Sequence, residues 1–155
     1  IRDWSSDVCS SDLRFGQYRL SSVLIEGQFP NYQKVVPESQ KYIVTVKRQD
    51  VIDALKRVSI FVEQKSRRTF FALSSEKLVI SSEETEIGTA REEIPCVYEG
   101  PEAVIAMNYK YIDDPLRAID SEGICLRFTE TSRAVTVSPE PESDYFHILM
   151  PMQVD

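Results

Sequence analysis

Residues 51–58 read VIDALKRV, and residues 112–119 read IDDPLRAI. Laid over each other, Val51 stands on Ile112, Leu55 on Leu116 and Lys56 on Arg117. In the first copy Val51, Leu55, Val58 and Val62 recur at the spacing of one helical face, within 47–62. Asp53, Lys56 and Arg57 fall on the other side. In the second copy Tyr109, Ile112, Leu116 and Ile119 make the stripe, and Asn108 is a candidate N-cap. Each helix follows a strand (42–46 and 103–107). Each precedes a strand pair, TFFAL and KLVIS in the first half, CLRFT and AVTVS in the second. Further strands at 85–97 and 145–150 complete the two halves. A strand–helix–strand–strand–strand unit used twice predicts an α+β fold with two helices packed on one side of an antiparallel sheet that each half extends. Pro115 stands over Ala54 and breaks the match. An interior proline removes a hydrogen bond at a cost of roughly 3 kcal/mol, so the second helix is expected to kink or to start late.

Working outward, the closing stretch is 144–154, DYFHILMPMQV. As a strand it is apolar on both faces: Phe146, Ile148 and Met150 point one way, Tyr145, His147 and Leu149 the other. It reads either as a buried closing strand or as one whose end lines an apolar groove. Methionine suits a groove because its thioether chain repacks around different shapes. Pro151 lacks a ladder donor and belongs at an edge or a strand end. At the opposite end of the chain, 14–25 reads as a strand and 27–37, GQFPNYQKVVP, as a linker. Phe29, Tyr32, Val35 and Val36 make that linker apolar, as at a packed domain junction.

Residues 3–13, DWSSDVCSSDL, resemble the translation of a common sequencing adapter. Residues 1–13 also lack the basic start and apolar centre of a signal peptide. They are therefore read as an artefact and left out of the fold reasoning, the alternative being a natural disordered tail. Of 155 residues, 25 are acidic and 18 are Lys or Arg, a formal charge of −7. That argues against a surface that coats nucleic acid all over, and leaves room for a local basic face. There is no apolar run long enough for a membrane span. Three scattered cysteines offer neither metal spacing nor a disulfide framework, the pattern of a reducing compartment.

Two further features have open readings. Ile60 lies about 180° from Val51 on the first helix, on the polar side. It is either a lone exposed residue or, with Phe61 beside it, part of a contact between subunits. Glu83, Glu84, Glu86, Glu92 and Glu93 make an acidic run that either solvates and protects a sheet edge or docks a basic partner.

The order and spacing of GQFPNY at 27–32, the tandem repeat, and ILMPM at 148–152 resemble the C-terminal third of the bacterial DNA polymerase III β subunit family, the sliding clamps. The resemblance covers the chain from about residue 14. It implies that 14–32 are the last strand of a middle domain plus a linker, and that 33–155 are a third domain of the DNA clamp fold. It further implies a non-catalytic processivity factor in the bacterial cytoplasm, without cofactor or metal. Two three-domain subunits would form a head-to-tail homodimer ring around double-stranded DNA. Its partners would be the polymerase III α subunit, the clamp loader and other proteins bearing clamp-binding peptides.

Carried over by position, the resemblance assigns one wall of a partner-peptide pocket to Pro30, Val35, Tyr111, Ser132, Ala134, Ile148, Leu149, Met150, Pro151 and Met152. Ala134 and Gln153 depart from the Ser and the basic residue expected there, which puts peptide preference in question. The subunit interface falls on Ile60, Phe61, Glu83, Glu84, Glu86, Glu92 and Glu93, with the acidic strand as an edge facing a basic neighbour. The DNA-facing surface falls on Lys34, Lys56, Arg57, Lys65, Arg67, Arg68 and Arg117, whose charges would hold phosphates without reading bases.

An enzyme finds little support. Asp113 and Asp114 are adjacent and point apart on a helix, His147 is the sole histidine, and no phosphate-loop or metal motif occurs. A free-standing peptide-binding or scaffold module of the same fold is the alternative function.

Overall fold

The computed structural model describes residues 10–23, 27 and 31–154. Pro30, and with it Leu24, Ile25 and Phe29, lies outside the described residues. The chain divides into two compact units, Ile1–Gln33 and Lys34–Asp155.

In the first unit β1 (Ser10–Phe15) and β2 (Tyr18–Val23) form an antiparallel hairpin, with Leu13 opposite Leu20 and Phe15 opposite Tyr18. A single strand over 14–25 was expected. Gly16, at φ +57°, instead turns the chain in a two-residue loop. Leu13, Phe15, Tyr18, Leu20 and Val23 are all exposed.

The second unit carries the repeat. Its first half is β3 (Tyr42–Lys47), α1 (Arg48–Val58), β4 (Arg68–Leu73), β5 (Lys77–Ser82) and β6 (Arg91–Tyr98). Its second half is β7 (Ala103–Asn108), α2 (Tyr109–Ala118), β8 (Gly123–Phe128), β9 (Val135–Glu140) and β10 (His147–Leu149). The eight strands form one antiparallel sheet in the order β10-β9-β8-β3-β6-β5-β4-β7. The halves exchange strands: β3 pairs with β8, and β7 with β4. The two ends of the order also meet, because the Met152 N–H donates to the Ala106 carbonyl at 2.8 Å. The sheet therefore closes on itself. Helix α1 packs on β3, β5 and β6, α2 on β7 and β10, and the helices on each other.

The apolar stripes meet in one core. Val51, Leu55, Val58 and Val62 from the first copy join Ile112, Leu116 and Ile119 from the second, against Phe71, Leu78, Ile80 and Phe128. Tyr42, Tyr98 and Phe128 cluster with ring centroids 5.4–6.3 Å apart. The Tyr98 hydroxyl, which donates to the Pro101 carbonyl at 2.8 Å, occupies the place where a side chain on Gly100 would begin.

Several boundaries differ from the sequence reading. Helix α1 stops at Val58, and Val62 reaches the core through a turn in which the Phe61 N–H bonds to the Val58 carbonyl at 3.0 Å. Helix α2 does not start late. Asn108 caps it by accepting from the Lys110 N–H at 3.0 Å, and Pro115 is buried within it. The helix ends three residues beyond that proline. The strand expected at 85–97 begins only at Arg91. Thr85 and Gly88 exchange backbone bonds of 2.9 and 3.0 Å, and Gly88 sits at φ +120°. This splits the acidic run between a turn and a strand. That strand is an edge only in part: β6 pairs with β5 from Arg91 to Pro95 and with β3 from Cys96 onward, so Glu92 and Glu93 stand where it has one named partner strand. Strand β9 runs on to Glu140, and β10 is only three residues long.

Candidate functional site

The closing stretch is fixed at two places. Strand β10 lies on β9, with Ile148 opposite Thr136 and Leu149 opposite Val135. Beyond it Met152 is bonded to β7. Between these anchors Pro151, half-buried, has no N–H to lose, and Met150 is 63% exposed. Leu149 faces inward and is 4% exposed, while Phe146 and Met150, on the alternate face, are open. The expected two-faced strand is thus present in short form. One residue closes the core and its neighbours offer apolar surface to solvent.

Around it, Tyr111 projects from α2, which packs on β10, and is 60% exposed. Val35 is also exposed. Ser132 and Ala134 lie in the β8–β9 connection, where the Ala134 carbonyl accepts from Gln40 Nε2 at 3.1 Å. The same Gln40 amide donates to the Arg127 carbonyl at 2.7 Å and ties this connection down. The neighbouring groove, of ≈ 340 Å³, is lined by Val36, Gln40, Arg127, Thr136, Tyr145 and Phe146. It contains none of the residues named from sequence for the peptide wall. The sequence places Tyr145 and Phe146 only as strand positions; two adjacent aromatics before a short strand are the available signal. An apolar side chain of a peptide buried on such a wall contributes roughly 2 kcal/mol.

A second hollow, of ≈ 690 Å³, brings together Ile60, Phe61, Glu83, Glu84 and Glu86, five of the seven residues assigned to the interface. Ile87, 69% exposed in the same hollow, was missed. It is the one apolar residue between Glu86 and Gly88. The Phe61 ring packs beside Gly88, 3.5 Å from where a Cβ would stand, which is ordinary contact; the positive φ is what favours glycine there. Glu92 and Glu93 are elsewhere, on β6.

The basic residues divide into two groups. Arg57 forms a two-pronged pair with Glu92 (2.8 and 3.0 Å), Arg117 bonds Asp113 at 2.7 Å, and Arg68 is paired with Glu83. Arg68 also donates to the Gln153 carbonyl at 3.3 Å. Residues assigned to separate surfaces, Arg57 with Glu92 and Arg68 with Glu83, are therefore each other's partners. Hydrogen bonds from Arg57 hold the Glu92 carboxyl below the usual range, and Arg91 with Lys77 does the same for Glu93. Exposed pairs of this kind are screened by water and bind weakly. Lys34, Lys56 and Lys65 are exposed, and Arg67 is half-buried. None of these four has an ion-pair partner among the described residues. Arg67 takes φ +54°, with its N–H bonded to the Glu63 carbonyl at 2.8 Å. Burial pushes the Cys96 and Cys125 thiols up, as expected of unreactive cysteines.

This geometry has clear relatives. The family described as DNA polymerase III beta subunit, C-terminal domain, matches residues 33–153. The beta sliding clamp of Treponema pallidum is 48% identical over 91% of this chain and 39% of its own length. The DNA polymerase III β subunit of Thermotoga maritima superposes with a TM-score of 0.83 at 27% identity, over 94% of this chain and 40% of that one. The sliding clamp of Pseudomonas aeruginosa, solved with a ligand, superposes at 0.85 with 27% identity, over 92% and 39%. This chain thus spans about two-fifths of the length of the relatives it matches. With the family matched across nearly the whole second unit and a relative 48% identical, the chain belongs to the family formed by the C-terminal domain of the DNA polymerase III β subunit.

Proposed function

We propose that this chain is the C-terminal third of a ring-shaped sliding clamp, a non-catalytic processivity factor of bacterial DNA replication acting in the cytoplasm. Residues 33–155 are its third domain, and 14–32 are the end of the middle domain, with β2 as its last strand, and the linker. Residues 1–13 are adapter-derived. Two three-domain subunits join head to tail and encircle duplex DNA without reading its sequence. The polymerase III α subunit, the clamp loader and repair proteins are tethered by short peptides at the wall formed by Val35, Tyr111, Ser132, Ala134 and Ile148–Met152, completed by Pro30 and the middle domain.

The observation that carries this reading is the anchored Met150-Pro151-Met152 segment, held between β9 and β7 with Met150 open to solvent, in a chain of the clamp family. Lys34, Lys56, Lys65 and Arg67 supply positive charge on an otherwise acidic chain, which favours loose phosphate contact over tight binding.

The test uses the full-length protein loaded onto nicked circular DNA and passed through a sizing column. A ring stays on circles and runs off once the DNA is cut. Equal loss from circular and linear DNA overturns the proposal. In the same protein, Ile60→Asp is expected to convert the dimer to monomer in equilibrium sedimentation. An unchanged dimer would remove the hollow at Ile60 and Phe61 from the interface.

A further inference from the structure

A cavity of ≈ 800 Å³ opens where α1 begins, between β3, β6 and β8. Thr45, Lys47, Pro95, Val97, Gly123 and Glu140 line it. The internal repeat supplies its counterpart in the other half, residue for residue. Lys47 pairs with Gly123 as Asn108 pairs with Arg68. The Arg48 N–H donates to the Glu122 carbonyl at 2.9 Å, as the Tyr109 N–H donates to the Arg67 carbonyl at 3.1 Å. Ile124 pairs with Pro139 as Thr69 pairs with Ser82, so Glu140 is the counterpart of Glu83.

The two corners differ in what fills them. In one, Arg68 extends its guanidinium to the Glu83 carboxylate and the Gln153 carbonyl. In the other, the equivalent residue is Gly123, with no side chain; the stem of Glu140 lies over it, 3.2 Å from where a Cβ would stand, and the cavity opens beside the two. Glu140 there has no ion-pair partner among the described residues. Its carboxylate accepts from the Cys125 thiol at 3.1 Å.

We propose that this cavity docks the arginine side chain of a partner polypeptide, which takes against Glu140 the place that Arg68 takes against Glu83. Pro95 and the exposed Val97 offer apolar surface to the aliphatic stem of an arginine. The planar guanidinium fork matches a carboxylate in a way that a lysine ammonium does not. Of the cations lining the cavity, Arg48 already donates to the Ser121 and Leu116 carbonyls at 2.8 and 3.0 Å. Lys47, beside Gly123, is the competitor for Glu140, and Glu122 adds a second carboxylate.

The experiment titrates the 155-residue chain with N-acetyl-arginine methylamide and follows backbone amide signals by NMR. Saturable shifts are expected at Lys47, Cys96 and Gly123, and none with the uncharged citrulline analogue. Glu140→Gln should weaken binding about tenfold, as loss of a charge-assisted pair does. Lys47→Gln should strengthen it roughly twofold by removing the competing cation. Glu83→Gln should leave it unchanged. Equal shifts with citrulline on the unmodified chain overturn the proposal whatever the variants do. Shifts that survive Glu140→Gln in a chain with unchanged thermal midpoint overturn it as well.

Discussion

Val97 pairs with Thr45 as Met152 pairs with Ala106, so the two halves can be compared position by position. Where the first half carries Glu92, Glu93 and Pro95, the second carries His147, Ile148 and Met150. Two carboxylates in one half stand where the other has an imidazole and an aliphatic side chain, and a proline stands where the other has a methionine. The inward positions do not diverge in this way: Ile94 and Leu149 are both buried, as are Leu55 and Leu116. Duplication has kept what packs and changed what faces outward. A charged surface and an apolar surface therefore stand on one scaffold.

The core is where the two halves are most tightly coupled. Leu55→Ala and Leu116→Ala are each expected to cost about 2–5 kcal/mol, in a single shared urea transition. A separate early transition in either variant would show that the halves melt independently. Pro115→Ala restores the residue that the first half has at Ala54. Removing an interior proline gains about 3 kcal/mol, and losing its buried ring costs about 1–2 kcal/mol. A net stabilisation of about 1–2 kcal/mol is expected from that difference. A destabilised variant would mean that the ring's packing outweighs the missing hydrogen bond.

The helix starts sharpen the contrast. Asn108 caps α2 with its side chain, whereas Lys47 makes no such bond to α1. Asn108→Ala should cost about 1 kcal/mol, and Lys47→Ala less than about 0.5 kcal/mol. Equal losses would erase the asymmetry. The smallest effect is electrostatic. Because the Glu92 and Glu93 carboxyls are lowered in the fold, their contribution is present above the ordinary glutamate range and is lost as pH falls through the lowered values. A chain with Glu92→Gln and Glu93→Gln should be slightly less stable at neutral pH, with the gap closing in acid. A gap that persists in acid would assign the effect to packing.

Much of the fold was legible because periodicity records burial. The stripes at Val51, Leu55 and Val58 and at Ile112, Leu116 and Ile119 are buried as read. Turns were less visible. Gly16 and Gly88 each sit at positive φ, and both fell inside segments read as continuous strand. The pairing of Arg57 with Glu92 and of Arg68 with Glu83 could not be read at all. It depends on strands and helices distant in sequence coming side by side. In the site, the Met-Pro-Met ending was legible as composition. Its anchoring to Ala106 was not, because one long-range hydrogen bond leaves no local pattern. The groove at Tyr145 and Phe146 escaped notice for the same reason.

The exchange of strands between halves bears on ancestry and assembly. Strand β3 finds β8 across the repeat, and β7 finds β4, its equivalent. One half alone would present open edges at both strands. Two copies of it, related by a twofold axis, would cover each other's edges through one self-complementary surface. Such a pair of separate halves would come apart on dilution; the connection through Gly100 makes the pairing intramolecular, at high effective concentration.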